Sequence, residues 1–398
     1  MDKSWYLRGA LKQIAQSLSI VLIATTFFIG CDGSSSDTAE QEPYVYQAPV
    51  NLNDGWQIDH VANQGVDEIL LTELVNNIQD NLVQFRYIDA VLVVKNGYLL
   101  LNEQFKTELD FTDDWANNQN IDLHILNSVS KSFASTLVGI AIDQQLIADT
   151  NVLVHDYFQH KLPIANWSEN KANITLQNWL TMQHGYEWDE WDVSYFDSNN
   201  LNAQMNNSAD PMQFLLDRPM AQAPGNVFSY STGVSFALGR LVEHASGQSL
   251  VSFMENNLLT PLSIENYTYW SLDNTPHMGS ALYLSTRDLA KLGQLFLDDG
   301  LWNGERIISE NWIELATQKR VDNGGWGYGY QWWMTSFTAQ GTAYETYYAD
   351  GLGGQHIFVF PTLNAVVAFN GNAYEDNEKE QRSYRMILEN YILPSLQE

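Results

Sequence analysis

The chain has 398 residues, 45% of them hydrophobic and 13% aromatic, with a formal net charge of −29. That much apolar material excludes intrinsic disorder for most of the length and suffices for one large core or two smaller ones around a cleft. The acidic excess repels phosphate backbones and anionic lipid and so excludes nucleic acid as a partner, and because the charges are spread out they read as a solvated surface.

At the start, Lys3, Arg8 and Lys12 precede an apolar run from Leu18 to Ile29 that stops at Gly30-Cys31. This is the layout of a signal peptide over residues 1–30, and the run is shorter than the roughly 20 residues of a permanent membrane span. Cys31 is the only cysteine, so the mature chain forms no disulfide within itself. Its place after a small residue resembles the lipobox of bacterial lipoproteins, with Phe28 where that box carries Leu; an ordinary cleaved secretory peptide is the alternative. The expectation is an exported, periplasmic bacterial protein whose one membrane attachment is a lipid on Cys31. Residues 31–54 are polar and aperiodic and read as a flexible linker, so the folded domain is expected over 55–398, from about Trp56.

Ile69, Leu70, Leu74, Ile78 and Leu82 recur at helical spacing after Asp67-Glu68. Ala90–Val94 and Tyr98–Leu101 flank Lys95-Asn96-Gly97 and predict a hairpin with a tight Asn-Gly turn. Phe133, Leu137, Ile140 and Ala141 put a helix behind Ser128-Val129-Ser130-Lys131. From about 160 to 270 the chain reads as helices and loops. Ser285-Thr286-Arg287-Asp288 predicts a capped helix over Leu289–Leu297. Strands are expected at Tyr328–Met334, Tyr344–Ala349, His356–Phe360 and Ala365–Asn370, and a last helix from about Asn377 to Tyr391. Early and late strands separated by a helical insertion predict an α+β fold, one antiparallel sheet built from both chain ends and flanked by helices.

A serine hydroxyl is a poor nucleophile until a base takes its proton. Ser128 and Lys131 are three apart and share a helix face, and a helix N-terminus favours an alkoxide over an ammonium. Burial against Phe133 would also favour the neutral lysine, the form able to act as base. The four-residue pattern alone is weak, because Ser168-Glu169-Asn170-Lys171 repeats it in polar surroundings that read as a solvated loop, and a plain capped helix explains either copy. Two further segments add weight. Pro224 to Gly233 leads into the apolar stretch Val234–Val242 and puts Tyr230 at a loop-to-helix corner, and Gly351-Leu352-Gly353-Gly354-Gln355 falls between two strands, where glycines let backbone N–H groups approach a ligand.

These three segments, in this order, resemble the serine β-lactamase and penicillin-binding-protein superfamily over about residues 60–395, and most of all its class C β-lactamase-like branch of esterases, D-aminopeptidases and 6-aminohexanoate-dimer hydrolases. The resemblance implies a β-lactamase/transpeptidase-like fold and a serine hydrolase without cofactor or metal. It implies Ser128 as the acylated nucleophile, Lys131 as its partner, and Tyr230 as the group that protonates the leaving group and later activates water. It implies an oxyanion hole from the backbone N–H groups of Ser128 and Leu352, donors worth roughly 3 to 4 kcal/mol each. The third motif falls on Ala349-Asp350-Gly351, without the cation that holds a β-lactam carboxylate, and Tyr230-Ser231-Thr232 replaces a Tyr-x-Asn. Both departures point from β-lactams toward a small ester, amide or peptide, with Thr232, Asp350, Gly351 and Gln355 on the substrate side.

His184 to Trp191 is a further candidate wall: its tryptophans Trp188 and Trp191, beside carboxylates, suit an amphiphilic or cationic substrate, or they pack on the helical part. A Ser-His-Asp hydrolase is disfavoured because no Gly-x-Ser-x-Gly occurs, and His155, His160 and His356 have neither the spacing nor the context of a metal site. The competing functions are a D-alanyl-D-alanine carboxypeptidase or D-aminopeptidase, a β-lactamase, and a cell-wall-binding homologue without turnover.

Overall fold

The structure is a computed structural model that describes residues 42–105, 123–374 and 383–397. The expected signal peptide, Cys31 and residues 377–382 of the last expected helix lie outside those residues. A compact unit runs from Tyr44 to the C-terminus. Packing therefore begins ahead of the expected Trp56 boundary: the Tyr46 hydroxyl donates to Leu100 O at 2.8 Å, and Asp54 pairs with Arg287. The polar composition that suggested a linker hides these anchors.

Nine strands form the main sheet: β1 (Gln57–Ile58), β2 (Ile88–Lys95), β3 (Tyr98–Gln104), β4 (Val321–Asp322), β5 (Gly327–Tyr328), β6 (Trp333–Ala339), β7 (Thr342–Gly351), β8 (Gln355–Phe360) and β9 (Ala365–Gly371). Their order is β1-β3-β2-β9-β8-β7-β6-β5-β4. All neighbours are antiparallel except β1 and β3, and β9 beside β2 joins the two chain ends. The β2–β3 hairpin turns on Asn96 and Gly97, both at positive φ (54° and 78°), as an Asn-Gly turn matched to strand twist requires.

Period-2 alternation sends side chains of the central strands to two cores. Leu92, Val94, Ile357, Val359, Val366 and Ala368 enter one, while Val91, Val93, Phe358, Phe360, Val367 and Phe369 enter the other. The second core is covered by α1 (Glu68–Gln79) and the C-terminal helical segment. The buried stripe of α1 is Leu71, Leu74, Val75 and Ile78, whereas Ile69 and Leu82 are exposed. Leu74 and Ile78 of the expected stripe are therefore buried, Leu71 and Val75 complete it in place of Ile69 and Leu82, and Asp80 ends the helix before Leu82.

The first core is filled by α2 (Ser130–Asp143), α3 (Thr232–Ser246) and α4 (Thr286–Leu297). Every residue of α2 from Ser130 to Ala141 is buried, which its run of Ser, Ala and Gly among larger apolar residues permits. A Cβ on Gly139 would come within 2.5 Å of the Trp312 ring, so glycine there lets the indole lie on the helix backbone. Ser285 caps α4 by accepting from Asp288 N at 3.1 Å. Short helices and loops between Val154 and Leu259 complete this side. The strand expected over Tyr328–Met334 is broken: Gln331 takes φ +63° and its amide turns into the helical side. Among the described residues no helix is long and apolar enough to cross a membrane.

Candidate active site

Ser128 sits in a single tight turn, Asn127–Val129, immediately before α2, with Asn127 at φ +46°. Lys131 follows in the first turn of α2 and is 2% exposed. Its ammonium nitrogen lies 2.9 Å from Ser128 Oγ, 3.1 Å from Thr232 Oγ1 and 2.7 Å from Gly279 O. Burial lowers its pKa to about 8, against the opposing pull of the Glu190 and Asp350 charges. The amine therefore has a substantial neutral fraction near physiological pH.

Tyr230 precedes Ser231, whose hydroxyl caps α3 by accepting from Val234 N at 3.1 Å. The loop-to-helix corner thus delivers the phenol to the neighbourhood of Ser128, near enough for the serine to influence its ionisation. Burial, then the neighbouring Tyr328 and Tyr195, raise the phenol well above its usual pKa, with Ser128 opposing. Tyr230 is a neutral O–H donor. Its ring stacks on Trp191 at 5.2 Å and Trp333 at 5.7 Å, and Lys131 Nζ stands 4.8 Å from its centroid.

The end of β7 closes the site. Asn127 Nδ2 donates to Leu352 O at 2.7 Å. A Cβ on Gly351 would collide with Leu126 O and lie 3.3 Å from Ser128 N, so only glycine lets this strand end approach the serine turn so closely. Asp350 stands on the rim, its Oδ1 3.2 Å from His356 Nδ1. A cleft of about 640 Å³ opens here, with Glu190, Trp191, Trp326, Trp333, Asp350 and Leu352 on its wall.

Several expected substrate contacts are placed elsewhere. Thr232 is 2% exposed and faces Lys131 and Glu190 rather than the cleft. Gln355 is fully buried; its amide donates to Gly371 O and accepts from Asn370 Nδ2, both at 2.7 Å, tying β8 to β9. Trp188 is buried and gives its indole N–H to Glu190 at 2.8 Å, so packing rather than the cleft claims it. Trp191, 56% exposed, does line the cleft. The second Ser-x-x-Lys is not solvated: Lys171 is fully buried and donates to Ala165 O at 2.8 Å and Leu216 O at 2.7 Å. Two backbone carbonyls make a polar pocket that local sequence does not announce.

Glu190, His277 and Gly279 were not singled out by the sequence. Glu190 carried a weak signal, a carboxylate inside an aromatic run. His277 had none: its Nδ1 accepts from Gly279 N at 3.1 Å, which aims the Gly279 carbonyl at Lys131. Among the described residues no group of three His, Cys, Asp or Glu side chains could hold a metal ion.

A serine beside a buried lysine and a neutral phenol, whose ring stacks on Trp191 and Trp333 of the cleft wall, can perform acyl transfer. The beta-lactamase family profile matches residues 89–390. This chain belongs to the beta-lactamase family. Within the family it is 26% identical to the 6-aminohexanoate-dimer hydrolase of Paenarthrobacter ureafaciens over 300 residues, 70% of this chain and 71% of the relative. Among solved structures, EstCE1, a hydrolase with promiscuous acyltransferase activity, matches with a TM-score of 0.62 at 15% identity, over 82% of this chain and 98% of that one. The octameric penicillin-binding protein homologue from Pyrococcus abyssi matches with a TM-score of 0.60 at 16% identity, over 82% and 78%. At these identities the structural likeness bears on the fold, which is the α+β, antiparallel-sheet architecture expected from the sequence.

Proposed function

We propose that this beta-lactamase family hydrolase cleaves an ester or amide through an acyl-enzyme on Ser128. The observation that carries it is the 2.9 Å approach of a buried, pKa-lowered Lys131 to Ser128 Oγ. Ser128 Oγ attacks the substrate carbonyl as its proton passes to Lys131. The oxyanion forms against the backbone N–H groups of Ser128 and Leu352. Tyr230 gives its proton to the leaving group and is reprotonated from Lys131. In deacylation a water attacks the acyl carbon, its proton travels back through Tyr230 to Lys131, and Lys131 returns a proton to Ser128 as the ester bond to the enzyme breaks.

The substrate class follows from the rim. Ala349 stands where a cation would meet a β-lactam carboxylate, Asp350 adds a negative charge beside it, and the wall is aromatic, which favours an amphiphilic ester or amide with a neutral or cationic body. The relative from Paenarthrobacter ureafaciens, named for an amide-containing dimer, supports the amide side of this range. The N-terminal layout adds export with a lipid on Cys31, which Cys31→Ser and recovery of the chain in membrane or soluble fractions would test.

The deciding experiment is fluorophosphonate labelling with peptide mapping, alongside turnover of p-nitrophenyl esters, short amides, nitrocefin and D-alanyl-D-alanine peptides. Label on Ser128 and ester or amide turnover, both lost in Ser128→Ala, are expected. Folded wild-type protein indistinguishable from Ser128→Ala would mark a binding protein instead.

A further inference from the structure

We propose that Glu190 is a positioning residue that locks the direction of the Thr232 hydroxyl and thereby keeps the Lys131 lone pair aimed at Ser128. It rests on the acyl transfer proposed above and adds a residue that does not itself touch the reacting atoms.

Glu190 is 2% exposed, and a carboxylate is not left in such a place without compensation. It accepts four hydrogen bonds. Oε2 receives Trp188 Nε1 and Thr232 N, both at 2.8 Å; Oε1 receives the Tyr195 hydroxyl at 2.9 Å and the Thr232 hydroxyl at 2.6 Å. Thr232 N belongs to the first turn of α3, where free N–H groups favour an anion. The loop bearing Glu190 is pinned as well, because Asn200 Nδ2 donates to Glu190 O at 3.0 Å.

The consequence lies in donor and acceptor counting. An ionised carboxylate only accepts, so the Thr232 hydroxyl must spend its one proton on Glu190 and presents only lone pairs to Lys131. The Gly279 carbonyl, 2.7 Å from Nζ on the other side, likewise only accepts. A neutral lysine has two N–H bonds and one lone pair. Thr232 and Gly279 take both N–H bonds, and the lone pair is left for the third neighbour, Ser128 Oγ. Without the carboxylate, the Thr232 hydroxyl is free to turn and donate to that lone pair, which would silence the base.

The charged and titratable groups facing Lys131 come from each side: Glu190 from its loop, Asp350 from β7, Tyr230 ahead of α3 and His277 from the loop before Gly279. Glu190 and Asp350 hold the lysine pKa up against burial. Burial and Lys131 push His277 down to about 3, so it stays neutral.

The test uses the full chain with Glu190→Gln, Thr232→Val and Thr232→Ser, reading kcat/KM for a p-nitrophenyl ester against pH and the rate of fluorophosphonate labelling of Ser128. A glutamine satisfies Trp188 and Thr232 N with its oxygen only by turning its NH₂ toward the Thr232 hydroxyl, which reverses that hydroxyl. Glu190→Gln is therefore expected to lower the plateau by about 10- to 100-fold, a fraction of full general-base catalysis. It should also move the acid limb to lower pH, because a charge that raised the lysine pKa is gone. Thr232→Val should lower the plateau with the limb near its wild-type position, and Thr232→Ser should recover most of that loss. A wild-type labelling rate and an unmoved limb in Glu190→Gln would overturn the proposal. So would a Thr232→Ser enzyme as slow as Thr232→Val. If Glu190→Gln does not fold, the two Thr232 variants decide the matter alone. Wild-type protein that never labels on Ser128 would instead overturn the acyl-transfer role, and this inference with it.

Discussion

At the scale of residues, the division of labour proposed for Lys131 and Tyr230 follows from how burial acts on groups of opposite charge type. Desolvation favours the neutral form of both, which suits the lysine to act as a base and the phenol as an acid. With Lys131 as base, kcat/KM rises with pH as the ammonium loses its proton, and the acid limb is expected near the lysine pKa of about 8. The lone pair becomes scarcer with each pH unit below that value, and the full rate is approached well above it. A limb between pH 4 and 5 would assign the base to a carboxylate instead. Lys131→Ala is expected to abolish acylation, and Tyr230→Phe to cut kcat by about 100- to 10,000-fold, the usual worth of a positioned acid or base. Rapid-quench acylation and steady-state turnover separate the two effects.

At the scale of elements, the serine turn, the tyrosine corner and the glycine strand end were legible in the sequence because each has a local cause: a hydrophobic helix behind Ser128, a capping serine after Tyr230, glycines at a close approach. What was not legible depends on distant partners. Gly279 meets Lys131 from 148 residues away, and Lys171 looks solvated until two carbonyls enclose it. The stretch Tyr328 to Met334 has the composition of one strand, yet tertiary bonds break it. Gln331 gives its amide N–H to Leu180 O at 2.9 Å and to Trp179 O at 3.2 Å, and its oxygen accepts from Ser235 in α3 at 2.7 Å. Its own carbonyl accepts from Ser132 in α2 at 2.7 Å. The loop inserted at the cost of sheet pairing thus clamps both helices that carry the site. Gln331→Leu removes three side-chain hydrogen bonds, each worth about 0.5–1.5 kcal/mol net, because Leu180 O keeps Gln331 N and Trp179 O keeps Met182 N, both at 3.2 Å, and the Ser235 hydroxyl has Ser231 O at 3.3 Å. Destabilisation of about 2–4 kcal/mol is expected in urea melts from the three lost bonds; a change under 1 kcal/mol would show that the clamp is not structural.

At the scale of the whole molecule, three layers hold the site rigid: helices on both faces of a sheet built from the two chain ends, with Ser128 in the turn that enters the central helix. The chain carries a net charge of −29, and the same sign appears at the cleft in Asp350. A field of that sign steers cationic substrates in and holds anionic ones off, and salt screens it. Raising ionic strength from about 0.01 M to about 1 M shortens the screening length from roughly 30 Å to 3 Å. For a cationic ester kcat/KM is expected to fall over that range, for a matched anionic ester to rise, and for a neutral one to stay nearly level. Asp350 contributes at close range, where screening acts least. Asp350→Asn should therefore narrow the gap between cationic and anionic esters even in high salt, while leaving the salt slope, a property of the whole surface, almost as steep. If the slope vanished with Asp350 alone, the preference would belong to one residue and the surface charge would have no part in substrate choice.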